Sequence, residues 1–149
     1  MEKIRYNVLS CALFALLICA SCEPDVSDDE IPYVQFPDII INLNLPTYTD
    51  LKFDGGYVYI GGGVRGIILY RQNMSTYIAY ERNSSYHPFE ACATVDVHNS
   101  NLYMLDTCSG STFDFNTGNP TNGPAIRPLR RYVVQLSSFE LTVTDEIAN

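Results

Sequence analysis

The segment DTCSGSTFD, residues 106–114, decides how the rest of this chain is interpreted. It follows a predicted strand and carries a small, turn-forming Ser-Gly-Ser run, which is typical of a tight loop. An upstream segment, AYERNSSYHP at 79–88, also ends in polar residues and is followed by Cys92. A downstream segment, GPAIRPLRRY at 123–132, leads into a further predicted strand. These three segments have the most specific residue spacing in the chain.

Short runs rich in Val, Ile and Tyr surround these segments and are separated by turn-forming Gly and Asn residues. Partial alternation of apolar and polar residues is typical of half-buried strands. Strands are predicted at residues 39–43, 57–60, 66–71, 76–82, 93–98, 102–106, 132–137 and 139–144, with a short helical turn at 45–51. Since no long helical period is present, the sequence predicts an all-β domain, either a sandwich or a barrel.

The chain resembles the Rieske iron–sulfur family in these segments. Residues 106–114 are similar to the second box of Rieske domains, Cys-Pro-x-His-Gly-Ser-x-Phe-Asp, and residues 123–132 to the loop and strand that follow it. The segment GGVRGII at 62–68 resembles small Rieske-type lipoproteins of the Bacteroides group. The resemblance implies a Rieske-like antiparallel β-sandwich at residues 33–145, with two loops forming a single cluster-binding tip.

The cluster-ligand positions of the family are largely changed in this chain. In the family, two Cys bind one iron and two His bind the other. The first-box positions carry Ser85 and His87, and the second-box positions carry Asp106 and Ser109. Hydroxyls and a carboxylate are poor substitutes for thiolate and imidazole in a sulfide cluster. The resemblance therefore implies a vestigial site that holds no cofactor.

Two cysteines remain in the predicted domain, Cys92 and Cys108. High-potential Rieske domains carry one additional Cys in each box, and a disulfide joins the two. Cys108 falls on the second of these positions, and Cys92 lies two residues later than the common spacing for the first. The resemblance implies a Cys92–Cys108 disulfide, as expected outside the cytoplasm. The alternative is a metal site formed by His87, Cys92, Asp106 and Cys108.

Residues 1–21 are predicted to be a lipoprotein signal peptide. Lys3 and Arg5 precede an apolar run at 8–20. This run would cover about 20 Å as a helix, which is too short for a hydrocarbon core of about 30 Å. Two small residues then precede Cys22, as in a bacterial lipobox, so lipidation at Cys22 and attachment to a membrane are predicted.

Acidic residues dominate the chain and concentrate behind Cys22. The acidic tether, residues 22–32, contains SDDE at 27–30, which resembles the surface-export signal of Bacteroides-group lipoproteins. The prediction is an outer-membrane lipoprotein displayed at the cell surface. The formal net charge is −8, and no basic patch is identified in the sequence, so nucleic-acid binding is not expected.

The predicted function is a non-redox binding or structural module in the cell envelope. No catalytic residue is assigned, because Ser109 and its neighbours lack the partners of a nucleophilic serine. The alternative is an electron-transfer protein that binds a [2Fe–2S] cluster or another metal through non-standard ligands. The sequence does not indicate a protein partner.

Overall fold

The computed structural model describes residues 30–148, and this part of the chain is built almost entirely of β-strands. The elements in chain order are β1 (Ile39–Asn42), a 3₁₀ helix (Pro46–Lys52), β2 (Tyr57–Ile60), β3 (Ile67–Asn73), β4 (Thr76–Glu81), β5 (Val95–Val97), β6 (Met104–Asp106), β7 (Thr112–Phe113), β8 (Pro120–Asn122), β9 (Arg131–Ser137) and β10 (Glu140–Ile147). The predicted all-β antiparallel fold is confirmed. The signal peptide, Cys22 and the tether up to residue 29 lie outside the described residues.

The strands form two antiparallel sheets. The larger sheet has the order β1-β10-β9-β4-β3-β2, and the smaller has the order β5-β6-β7-β8. Because β4 and β9 are neighbours in the larger sheet, the smaller sheet is an insertion between two adjacent strands. No helix in residues 30–148 is both long and apolar enough to cross a membrane.

The hairpin of β3 and β4 separates two apolar cores. Ile67, Leu69 and Ala79 belong to one core, whereas Ile68 and Tyr80 belong to the other. Successive side chains of a strand point to opposite faces, so an apolar residue at every position buries both faces. The smaller sheet therefore packs against one face of the larger sheet, and the domain is a sandwich in which the β3–β4 hairpin contributes to both cores.

A buried carboxylate holds together the end of β4, the loop before β3, and β9. Glu81 is fully buried, and its side chain accepts hydrogen bonds from the amides of Val64 (2.8 Å), Arg65 (3.1 Å) and Asn83 (2.8 Å). It accepts a fourth from the Tyr132 hydroxyl at 2.7 Å. A buried carboxylate is tolerated when donors of this kind surround it.

Gly63 makes room for this carboxylate. A Cβ at residue 63 would lie 2.1 Å from Oε2 of Glu81 and 2.9 Å from the Tyr132 hydroxyl, and the residue has a φ of +62°. Both the space and the left-handed backbone therefore require glycine.

All eight predicted strands are present, with ends that differ by one or two residues in most cases. β3 continues through Asn73, where the sequence indicated a turn, and the turn lies at Met74 and Ser75. The predicted helical turn is the 3₁₀ helix. The sequence missed β7 and β8, because strands of two and three residues are too short to show a period and β8 begins with Pro120.

We expect Gly63→Ala to lower the free energy of unfolding by about 1–3 kcal/mol, through overpacking and backbone strain. Gly61→Ala is the matched control, because a Cβ there would meet no atom within 4 Å. Urea unfolding of both variants measures the difference. Equal midpoints for the two variants would contradict the role assigned to Gly63.

Candidate functional site

Three loops are bonded to one another at one end of the domain. The first loop, residues 82–94, joins β4 to β5, and the second loop, residues 107–111, joins β6 to β7. The third loop, residues 123–130, joins β8 to β9. The first loop contains the predicted ligand positions Ser85 and His87. The second contains Ser109 and directly follows Asp106, the last residue of β6. The three loops together are called the loop tip.

A disulfide links the first loop to the second. Cys92 and Cys108 are bonded, with 16 residues of sequence separation. Both residues are exposed to solvent. This pairing is consistent with the predicted disulfide, and it occupies two of the four side chains of the alternative metal set.

The second loop closes on itself through Asp106. This residue is fully buried, and its carboxylate accepts a hydrogen bond from the Cys108 amide at 2.9 Å and another from the Ser109 hydroxyl at 2.6 Å. The hydroxyls of Ser109 and Ser111 lie 2.9 Å apart. The two second-box positions, Asp106 and Ser109, therefore bond directly to each other.

The third loop is bonded to both of the others. Ser85 of the first loop is buried and donates its hydroxyl to the backbone carbonyl of Arg127 at 2.7 Å. The Ala125 amide donates to the Ser111 hydroxyl oxygen at 3.1 Å. Since Ala125 and Arg127 are two residues apart, one short segment fixes the position of the first loop relative to the second.

Arg65 and Asn83 hold the interior of the first loop. The Arg65 guanidinium donates to the carbonyls of Ala91 (2.8 Å) and Glu90 (2.5 Å) and to the side-chain oxygen of Asn83. The Asn83 amide group donates to the Pro88 carbonyl at 3.0 Å. These bonds satisfy loop carbonyls that would otherwise need water.

His87 occupies a left-handed backbone position, with a φ of 44°. Its ring packs edge-on against the ring of Tyr86, with 4.2 Å between centroids. Within residues 30–148, no hydrogen bond joins Ser85 or His87 to Asp106 or Ser109. The structure thus brings Asp106 and Ser109 together. Ser85 instead bonds to Arg127, and His87 packs against Tyr86.

The alternative metal set is not assembled. Among the described residues, no group of three or more His, Cys, Asp and Glu side chains is placed to hold a metal ion. The sulfurs of Cys92 and Cys108 are bonded to each other, and Asp106 is buried with both carboxylate oxygens occupied by its own loop. In this arrangement His87 does not join these three side chains, and the alternative metal site stays an untested prediction.

Two groups behind the loop tip have shifted pKa values. Burial raises the pKa of Tyr80, whose hydroxyl donates to the Phe115 carbonyl at 2.9 Å. Burial opposes ionisation of Asp114, but hydrogen bonds from the Thr117 side chain and from nearby amides lower its pKa overall. Both shifts move away from neutrality, so neither group is suited to proton transfer near pH 7.

Sequence reasoning missed two features of this region. The Glu81 network gave no signal, because the burial of a charged residue depends on distant segments. The second feature is Arg127, Arg130 and Arg131, which line a single cleft beside the loop tip. The sequence signal for this cleft was three arginines within five positions.

No family model and no curated protein matches this chain. Among solved structures, it is similar to a chain of the structure titled "Complex of reduced oxygenase and oxidized ferredoxin in carbazole 1,9a-dioxygenase". The similarity covers 64% of this chain and 86% of that chain, with 18% sequence identity and a TM-score of 0.48. It is a weak similarity of fold and extends to neither activity nor cofactor.

We expect non-reducing peptide mapping to find Cys92 and Cys108 in one linked species. The double variant Cys92→Ser, Cys108→Ser should lose about 3 kcal/mol of unfolding free energy, because the bond closes a loop of this length in the unfolded chain. Thr107→Ser, an exposed change in the same loop, serves as the control and should alter stability by less than about 0.5 kcal/mol. Complete alkylation of both thiols in freshly isolated protein would contradict the disulfide.

Proposed function

We propose that this chain is an envelope lipoprotein whose Rieske-like domain works without an iron–sulfur cluster, as a non-redox binding or structural module. The hydrogen bond between Asp106 and Ser109 carries the proposal. These residues stand where the family has a thiolate and an imidazole, and here they bond to each other at 2.6 Å.

The available side chains do not fit a [2Fe–2S] cluster. Such a cluster needs four soft or nitrogen ligands directed at two irons. Of the four family positions, only His87 keeps its ligand type. Ser85 instead donates its hydroxyl to the Arg127 carbonyl. Asp106 is a hard ligand whose two oxygens already accept hydrogen bonds.

Direct bonds between the loops support a role that needs no metal. The disulfide, the Ser85–Arg127 bond and the Ser111–Ala125 bond connect each loop to the other two. Every buried side-chain nitrogen and oxygen atom in the described part of the chain has a hydrogen-bond partner. This internal bonding supports loops that are ordered without a metal.

Exposed apolar side chains on the loop tip favour binding. Phe89 on the first loop and Ile126 on the third loop are each 70% exposed. Large exposed apolar side chains on rigid loops are typical of surfaces that contact a partner.

The envelope location rests on the sequence of residues 1–30. A lipid on Cys22 would attach the domain to the membrane through the acidic tether, and SDDE at 27–30 favours export to the outer face of the outer membrane. Protease digestion of intact cells distinguishes the outward-facing from the inward-facing orientation.

We expect anaerobically purified protein to be colourless, with less than about 0.1 iron and sulfide per chain, because only one of four cluster ligands is retained. The triple variant Ser85→Cys, Asp106→Cys, Ser109→His restores the ligand types, and reconstitution should give it visible absorption and a reduced-state electron spin signal. The same variant with His87→Ala is the control and should give neither. Stoichiometric iron and sulfide in the native protein would instead favour electron transfer.

We expect Cys22→Ala to abolish labelling by a clickable palmitate analogue and to release the protein from membranes, since the acyl chains are the only proposed anchor. Cys19→Ala, three residues earlier, should leave both properties unchanged. Separation of soluble and membrane fractions, with in-gel detection of the label, measures both. Persistent labelling of Cys22→Ala would exclude this residue as the acceptor.

A further inference from the structure

A cleft of about 540 Å³ lies beside the loop tip, between the third loop and the two ends of the described chain. Its polar lining consists of Ser85, Thr117, Asn119, Arg127, Arg130 and Arg131, and Glu30 also lies at its wall. The volume is within the range of pockets that bind small molecules.

The cleft concentrates positive charge in an acidic protein. After the predicted signal peptide the chain has seven basic residues, and three of them line this one cleft. Elsewhere, Arg71 pairs with Asp54 and Arg82 pairs with Asp96. The cleft therefore differs in charge from the rest of the surface.

Two of the cleft arginines have no carboxylate partner among residues 30–148. Arg130 donates to the backbone carbonyls of Ile31 and Pro32, which leaves its charge unneutralised. Arg131 pairs through its backbone with Tyr80, and its side chain makes no hydrogen bond or ion pair within the described part. The Arg131 guanidinium therefore offers its donors to a ligand, and Arg130 contributes positive charge to the same cleft.

The rest of the wall is apolar. Ile31 and Leu129 are buried side chains that contribute to it, and Ile147 forms part of its open side. Guanidinium groups next to hydrocarbon match a molecule that has an anionic head and a short apolar body. The planar guanidinium also matches the geometry of a carboxylate or phosphate group.

We propose that this cleft binds a small organic oxyanion, with its carboxylate or phosphate group on Arg131 and Arg130 and its hydrocarbon part against Ile31, Leu129 and Ile147. The site goes beyond the function proposed above, since it does not depend on whether the loop tip holds a metal. Ser85 belongs to both regions, because it lies in the first loop of the loop tip and also lines the cleft.

Calorimetric titration of the lipidated mature protein, purified in neutral-detergent micelles, tests this site. Sodium hexanoate and hexyl phosphate are the anionic probes, 1-hexanol is the neutral analogue, and empty micelles give the background. We expect saturable binding of at least one anion with one site per chain, and no saturable binding of hexanol. The stronger of the two anions identifies the head group.

Arg131→Gln should weaken binding of the preferred anion by about tenfold, the effect expected for loss of one charge-assisted interaction. Arg131→Lys keeps the charge and should retain more affinity than Arg131→Gln. Lys52→Gln removes the same charge from a different depression of the surface and should leave affinity within roughly twofold. Thermal unfolding of each variant verifies that the fold is intact.

The proposal is overturned if neither anion binds saturably to the native protein, if hexanol binds as tightly as the anions, or if Arg131→Gln and Lys52→Gln bind equally well. None of these results would change the iron and sulfide content, so failure of the cleft and failure of the metal-free function are distinguishable.

Discussion

The fully buried carboxylate of Glu81 accepts hydrogen bonds from three backbone amides and from the Tyr132 hydroxyl, and the position of the first loop depends on these bonds. The amides belong to segments on both sides of the β3–β4 hairpin, and Tyr132 belongs to β9. Burial and the nearby Glu81 carboxylate raise the pKa of Tyr132, so the phenol remains a donor across the physiological range. One charged group thus fixes the loop before β3, the end of β4 and β9 relative to each other, while Gly63 leaves the space that it needs.

After Glu81, at the end of β4, the chain forms the first loop and then the smaller sheet. Arg65 reaches from the Glu81 network to the carbonyls of the first loop, and the disulfide connects that loop to the second. The third loop then bonds to both. A metal cluster would give loops of this kind a common set of ligands, whereas here a disulfide and hydrogen bonds connect them. Under the function proposed above, this bonding explains how loops with substituted ligand positions can be ordered.

The third loop also relates the tip to the chain that would reach the membrane. Arg130, at the end of this loop, donates to the carbonyls of Ile31 and Pro32, so the domain end of the predicted tether is held beside the loop tip. The same arginine lines the cleft with Arg131. The third loop therefore contributes to the loop tip, lines the cleft and contacts residues 31–32. Under the proposals made above, ligand binding in the cleft would occur next to the surface that Phe89 and Ile126 expose.

The sequence by itself determined eight of the ten strands in residues 30–148, because alternation and turn residues are local properties. β2 was predicted with its observed ends, and the loop that follows β6 was recognised from its Ser-Gly-Ser run. The residue types at 85, 87, 106 and 109 also needed no structure, since ligand chemistry follows from the side chain alone. Only the tertiary structure decided that Glu81 is buried, that Asp106 bonds to Ser109, and that Arg130 and Arg131 face a cleft with Ile31 and Ile147. These features join segments far apart in the chain, and their burial and electrostatics depend on how the sheets pack, which no local period encodes.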